Sequence, residues 1–485
     1  MSPPEHPPEP LAAPGERTPE QREELKLRHF WRNLAANVLV ESGWGFGMAV
    51  SSLYTVLPVF LRQLGAGARA IGLLPAISAV GFTALQLPTA YFAAPLHRKK
   101  YPFILAHIPA CLCWLAVARI TPALARWDAT AAVAVFLALY GLYSLSVGPL
   151  IPMWSDFMNR LLPARRRGRA WGLITAAGSV GGMGGAVVVA RVIGARPFPH
   201  DYAFCFLLTF LAFSLGTAAF LWVREPISSR PRRREPPHQF VAGLRRALAD
   251  SPDFRSFLIA RSLMSFGGMA VGFYAVYAVG ALKVPDSAVG VFTGVALAAQ
   301  TVSNLFWGWV GDRQGYRTVA VGTGVVKLVA VLLPLLSPSY TSFIVVFALT
   351  GMAFAGEWLA LLNLTIELCP EEDKTTYVSL ASTLSAPAHA AAPLLGGFIA
   401  AAISYHFLFV AALVMQIVGL AVLILAVREP RARPPAFRSP LSRGLAGGGV
   451  TSRSLRSDDA SPATPDPGPA PGLESGKRGD TVAGD

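Results

Sequence analysis

Glu41, Arg261, Lys327 and Glu357 stand inside long apolar runs of the chain. An ionisable side chain in hydrocarbon is costly, so one that is kept there is a candidate for carrying a proton or holding a charged solute. Glu41 lies about two turns into its run, in Asn37-Val38-Leu39-Val40-Glu41-Ser42-Gly43-Trp44, and Arg261 lies at a similar depth in a later one. Burial and a neighbouring arginine pull a carboxylate's proton affinity in opposite directions, and either shift fits Glu41 to be a proton carrier or a substrate ligand. A structural salt bridge, or a head group snorkelled to the surface, is the plainer alternative. Glu357, beside Trp358, carries the same two readings, while Lys327 reads as a partner within the protein. Tyr140, Tyr143, Trp154, Tyr274 and Tyr277 either line an amphipathic pocket or pack at helical spacing. His107 and His389 read as satisfied core histidines.

A second charged group is compact: Gly308-Trp309-Val310-Gly311-Asp312-Arg313-Gln314-Gly315-Tyr316-Arg317. Long apolar runs flank it, so it reads as a short turn joining two membrane spans. The glycines allow a tight turn and close helix approach. Asp312, Arg313 and Arg317 can pair at the membrane surface. The chain has no phosphate-cradling Gly-Lys-Ser/Thr loop, no paired metal ligands and no nucleophile set beside a base. No cofactor, no metal and no enzymatic reaction are therefore expected. The energy for any transport would come from an ion gradient or from the solute's own gradient.

The elements that position these residues follow from composition. Of 485 residues, 53% are hydrophobic and 14% charged, with a mean hydropathy of +0.47. A soluble domain carries about 25% charged residues, so the chain reads as an integral membrane protein whose first partner is the lipid bilayer. The net charge of +14 does not point to nucleic acid, because Lys and Arg sit in short clusters between apolar runs. The four cysteines fall in or beside apolar segments and read as small core residues. Apolar runs cover residues 34–61, 71–93, 101–121, 129–152, 170–194 and 203–223, then 254–281, 287–310, 318–336, 341–366, 376–401 and 405–427. Each is near or above the ~20 residues that cross a hydrocarbon core.

The predicted fold is all-α and integral to the membrane, with twelve transmembrane helices in two six-helix bundles, 29–223 and 254–428. Tails 1–28 and 429–485, rich in Pro with Glu or with Ser, Gly and Arg, read as disordered, and no cleavable signal peptide is expected. The linker 224–253 carries Phe240, Val241, Leu244 and Leu248 at helical spacing beside Arg245 and Arg246. It fits an amphipathic helix on the membrane surface, or a spacer. Arg98, Lys99, Lys100, Arg160, Arg165, Arg166, Arg167, Arg169, the linker arginines, Arg313, Arg317 and Lys374 all fall on the side of the termini. The opposite side carries fewer, among them Arg62, Arg69 and Lys283, so both termini are expected in the cytoplasm. The halves also read as repeats: Ala70-Ile71-Gly72 falls on Ala288-Val289-Gly290, Leu173 on Leu380, and Asn37 on Arg261.

The pattern G-x-x-x-D-R-x-G-x-R at 308–317 resembles the signature loop of the major facilitator superfamily of transporters, and the resemblance extends over about residues 30–428. It implies two bundles rocking about a midplane site. It also implies gating roles for Asp312, Arg313 and Arg317, with Glu367 as partner to one of the arginines. The first half departs from the pattern: Ala94 stands in the place of Asp312 and Arg160 in that of Glu367. Asp156, one turn before Arg160, is the acid left to pair with Arg98 or Lys99. In that family the first, fourth, seventh and tenth spans line the cavity. Glu41 and Arg261 are then expected to face each other across it, with Asn37, Glu357, Tyr140 and Tyr274 as further substrate or coupling groups. Gly172, Gly181, Gly185 and Ala186 partly resemble the glycine-rich motif of proton-driven exporters in the family, without its proline. The expected function is secondary transport of a small solute by a monomer in the cell or inner membrane, coupled to protons and leaning to export. Uptake or facilitation by the same fold is the alternative, and a non-transporting receptor is the alternative from another class.

Overall fold

The computed structural model describes residues 19–93, 96, 98–163, 166–225, 248–249, 251–369 and 374–429. Residues 430–485, almost all of the linker's predicted amphipathic stretch and the tail before residue 19 lie outside the described residues. The predicted disordered tail runs to residue 28, but Pro19–Arg28 is helical. Its Glu23 and Lys26 pair at 3.2 Å, and past Pro19 no proline interrupts it.

Among the described residues twelve helical segments follow one another as spans. They are α1 (Phe30–Val50, resumed as Val56–Gln63), α2 (Ala68–Ala84, resumed as Gln86–Ala93), α3 (Lys100–Leu124) and α4 (Ala129–Val147, resumed as Leu150–Leu161). Then come α5 (Arg167–Val192), α6 (His200–Ala219) and α7, which runs Pro252–Gly267, passes through a 3-10 stretch at Gly268–Phe273 and ends as Tyr274–Ala281. The last are α8 (Ala288–Gln314), α9 (Tyr316–Leu336), α10 (Tyr340–Leu368), α11 (Lys374–Ala402) and α12 (Tyr405–Ala426). Ten of them, α3 to α12, are long and apolar enough to cross a membrane unaided. At the α1 break the Ser51 hydroxyl donates to the Gly47 carbonyl at 2.8 Å.

The halves repeat, and matching contacts fix the register between α1 and α7. Asn33 of α1 accepts the Arg224 N–H at 2.9 Å, and Asp253 of α7 accepts the Arg428 N–H at 3.4 Å. Gly47 lies against Phe213 of α6, as Gly267 lies against Gln416 of α12. Gly216 approaches the Val40 carbonyl, as Gly419 approaches that of Ala260. In this register Glu41 corresponds to Arg261, one turn from the Asn37 match read in the sequence. The α1 break and the 3-10 stretch of α7 then fall at the same level.

Phe30 and Ala426 lie at one face of the bundle, the near face. Among the described residues, packing is continuous between the halves only towards the far face. There one buried cluster joins Val50, Phe60 and Phe206 to Phe273, Phe292 and Phe343. Near the termini each half has its own cluster, Phe30 to Val223 in one and Phe254 to Val427 in the other. Close approaches between halves are made by small residues: Gly72 of α2 on Gly397 and Pro393 of α11, and Gly290 of α8 on Ala190 of α5. The Thr55 and Thr293 hydroxyls bond at 2.6 Å, and Gln63 donates to Asp286. At the near face Gly168 and Gly172 of α5 and Gly308 of α8 have open space around them. The two halves thus form a V, closed at the far face.

Within the first bundle, α1 and α5 meet at Gly45, where a Cβ would collide with the Gly178 carbonyl. Gly45→Ala is expected to lower the thermal unfolding midpoint in detergent, at a cost of about 1–3 kcal/mol from overpacking. Gly168→Ala, with nothing within 4 Å, is expected to leave the midpoint unchanged or raise it.

Candidate functional site

The buried charges divide unequally between the halves. On α1, Val40, Gly43 and Gly47 face α6, while Ser42, Gly45 and Phe46 face α5. Glu41 and the exposed Met48, seven residues on, share the remaining edge, which looks into the cleft of the V. The Glu41 side chain rests on Gly178 and is half-buried. No hydrogen bond or ion pair holds it among the described residues, and no cation acts on it. Asn37, one turn below, is 1% exposed; its amide donates to the Asn33 carbonyl at 2.7 Å, and its Oδ1 has no partner.

The second half gathers its charges. Lys327 of α9 meets Glu357 of α10 at 2.8 Å, the internal pairing predicted for that lysine. Arg261 and His389 also lie in the field of Glu357. The Arg261 Nε donates to the Ser385 hydroxyl of α11 at 3.0 Å. His389 sits one turn above Ser385, bonded to its carbonyl at 2.8 Å, with the Ser265 hydroxyl 3.2 Å away. The structure therefore places Arg261 with Ser385 and Glu357, and does not pair it with Glu41. His107 does pack in the core, bonded to the Phe103 carbonyl at 2.7 Å.

The aromatic candidates separate. Tyr140 is 4% exposed, ring to ring with Phe136 and Tyr143, and Tyr274 is fully buried among Phe343, Phe347 and Phe409. Both are packing anchors in this state. Tyr54, in the α1 break and the counterpart of Tyr274, reaches Phe354 of α10 with ring centroids 5.4 Å apart. Sequence reasoning missed it; the repeat register would have found it. At the far face, Asp286 sits beside Arg62, Gln63 and Lys283 around an open groove. Burial lifts the Asp286 carboxyl above its ordinary value, against the opposing pull of Arg62 and the Gln63 amide.

Two reciprocal clamps at the near face were also missed. The Glu225 carboxylate accepts the N–H groups of Lys99 (3.0 Å) and Lys100 (2.9 Å), capping the start of α3, and Arg160 approaches it at 3.7 Å. In return, the Lys100 ammonium donates to the carbonyls of Leu221 and Val223 at the end of α6, at 2.8 and 2.9 Å. The second half repeats this. The Glu429 carboxylate lies against Gly315 (φ 88°) at the start of α9, and Arg317 donates to Val427 and Ile424 carbonyls at 2.5 and 2.7 Å. The signal was in the sequence: Val223-Arg224-Glu225-Pro226 recurs as Val427-Arg428-Glu429-Pro430.

The predicted gating residues occupy this same face. Asp312 is exposed and accepts from the Tyr316 hydroxyl at 3.4 Å, while Arg313 lies over the Trp309 ring at 4.7 Å. Glu367 is half-buried near the end of α10, and Arg98 is exposed before α3. Asp156 falls on the second helix of α4, and its side chain lies outside the described residues.

Two six-helix halves with buried charges facing the space between them are an architecture shared with membrane transporters. The sequence profile of the Major Facilitator Superfamily matches residues 39–282 and 257–460, and the chain belongs to that superfamily. It resembles a bacterial homolog of the human lysosomal transporter Spinster, solved inward-facing and unoccupied. The two are 15% identical with a TM-score of 0.63, and the match covers 87% of this chain and 100% of that one. The nucleoside transporter NupG (13% identical, TM-score 0.63, covering 83% and 100%) is also similar. So is a bacterial homologue of the iron transporter ferroportin (14%, TM-score 0.62, covering 84% and 99%). No curated protein matches the chain in sequence.

Removing a clamp carboxylate strands backbone donors that water reaches poorly. Glu225→Ala is expected to cost roughly 1–3 kcal/mol of stability, read as a lower unfolding midpoint, and Glu225→Gln less. Glu225→Ala with Glu429→Ala should sum the two losses, since the clamps sit in separate bundles.

Proposed function

We propose that the protein is a proton-coupled secondary transporter of a small solute, working by alternating access about the cleft between its halves. Glu41 carries this reading. A half-buried carboxylate with no counter-charge bears the full cost of its ionised form unless it takes up a proton or meets a cation. Either event, at the cleft, changes the free energy of one access state relative to the other. Glu357 already has Lys327, so it acts as an organiser of Arg261 and His389, with Asn37, Tyr140 and Tyr274 supporting the walls.

The near face is the cytoplasmic one in this reading, as the Lys and Arg distribution favours, and the protein sits in the inner membrane as a monomer with both termini inside. The state described then opens to the cytoplasm. Asp312, Arg313, Arg317 and Glu367 form the inner latch when the near face closes, and Arg98 with Asp156 forms its weaker counterpart in the first half. The broken glycine motif of α5 leans the direction to export.

The test is transport in vesicles that enclose a pH-sensitive dye, with sugars, amino acids, organic acids and lipophilic cations as the solute panel. The wild-type protein is expected to show proton movement that depends on its solute. Glu41→Gln, matched to wild type in unfolding midpoint, is expected to exchange solute across the membrane without net proton movement. Undiminished proton movement by Glu41→Gln would remove Glu41 from the mechanism.

A further inference from the structure

Among the described residues the cleft holds one carboxylate without a partner and one cation more than the neighbouring carboxylate can pair. In the first half Glu41 stands alone. In the second half Lys327 and Glu357 form one ion pair, which leaves Arg261 as a surplus cation. Among the described residues only the Arg261 Nε is bonded, to Ser385, and its terminal amino groups carry no hydrogen bond. The repeat register makes Glu41 and Arg261 equivalent residues, so they stand at the same depth on opposite walls. Their supports are equivalent too. Gly178 of α5 leaves room for the carboxylate, and Ser385 takes the matching place on α11 and orients the guanidinium.

We infer that the solute carries a cationic and an anionic group at once, the cation at Glu41 and a carboxylate or phosphate group at Arg261. The inference rests on the transport reading and names its substrate class. A planar guanidinium with free amino groups suits a bidentate oxyanion. A solute with one charge would leave the opposite wall unmatched in a desolvated cleft, which selects against it. A solute with both charges binds each half by one end. Its two contacts are made together only when the halves approach, so it favours closure of the near face. The solute's cation and a proton also compete for one carboxylate. Entry of the solute expels the proton, and the coupling is an exchange.

Small amino acids and zwitterionic lysolipid head groups share this chemistry. The probes are therefore glycine, 4-aminobutyrate, 6-aminohexanoate, lysophosphatidylethanolamine and lysophosphatidylcholine, each titrated against the purified full chain by its thermal unfolding midpoint. Butylamine, butyrate and hexanoate are the singly charged controls, and glucose and uridine the neutral ones. At least one zwitterion is expected to bind about tenfold or more tightly than any control, the step that one added charged contact supplies. An amino-acid hit assigns a soluble solute, and a lysolipid hit assigns a head group. Glu41→Gln and Arg261→Gln should each erase the preference, Glu41→Gln sparing the response to butyrate and Arg261→Gln that to butylamine.

A control that binds as tightly as every zwitterion overturns the inference, and so does a panel in which no zwitterion binds. Both comparisons are made on the wild-type protein and stand even if the variants misfold. In dye-loaded vesicles, a neutral or singly charged solute that drives proton movement would sink this inference and leave proton-coupled transport standing. A zwitterion that binds in detergent but is never moved would do the reverse.

Discussion

Hydrocarbon supplies neither water nor counter-ions, and the placement of charge in this protein follows from that constraint. Backbone groups within the spans are satisfied by helix alone. Helix ends, where the ladder runs out, are answered by side chains: Glu225 at the start of α3, Lys100 and Arg317 at the ends of α6 and α12, and Glu429 lies against Gly315 at the start of α9. Inside the spans Lys327 and Glu357 answer each other. Among the described residues Glu41 is left without such an answer.

The same constraint shapes how each bundle packs and how the two meet. Lipid gives no hydrophobic drive for helices to associate, so contact depends on close fit. Within a half that fit is dense along α1 and α5, through Gly45, Gly178, Gly181 and Gly185. Between halves it is limited to the far side, with Gly72, Gly397, Gly290 and the Thr55–Thr293 bond. The α1 break and the 3-10 stretch of α7 lie at this junction and at equivalent positions. Interrupted helices at such a level give each half a place to bend without disturbing its own packing.

The twelve spans were legible because 14% charge leaves apolar runs with clear borders. The repeat was legible in outline only. Runs of Ala, Gly and Leu match at several registers, and the sequence match of Arg261 to Asn37 was one turn away from its true counterpart, Glu41. The backbone N–H groups of Arg224 and Arg428, donating to Asn33 and Asp253, settle that register. Helical spacing marked Tyr140 and Tyr274 but could not say which side each faces, and both turned to the core. The clamps escaped notice because Glu225 and Glu429 stand just past the apolar runs, where the chain reads as linker and tail. Glu41 and Arg261 were found by type and depth, but their separate surroundings needed the structure.

The central claim is that two rigid halves exchange closure of one face for closure of the other. Spin labels at Leu173 and Leu305 would report the near-face ends of α5 and α8, and labels at Ala195 and Lys283 the far face; all four positions are exposed. The account predicts that a saturating transported solute shortens the near-face distance and lengthens the far-face distance in the same titration. Distances that both hold still, or that move in the same sense, would contradict it.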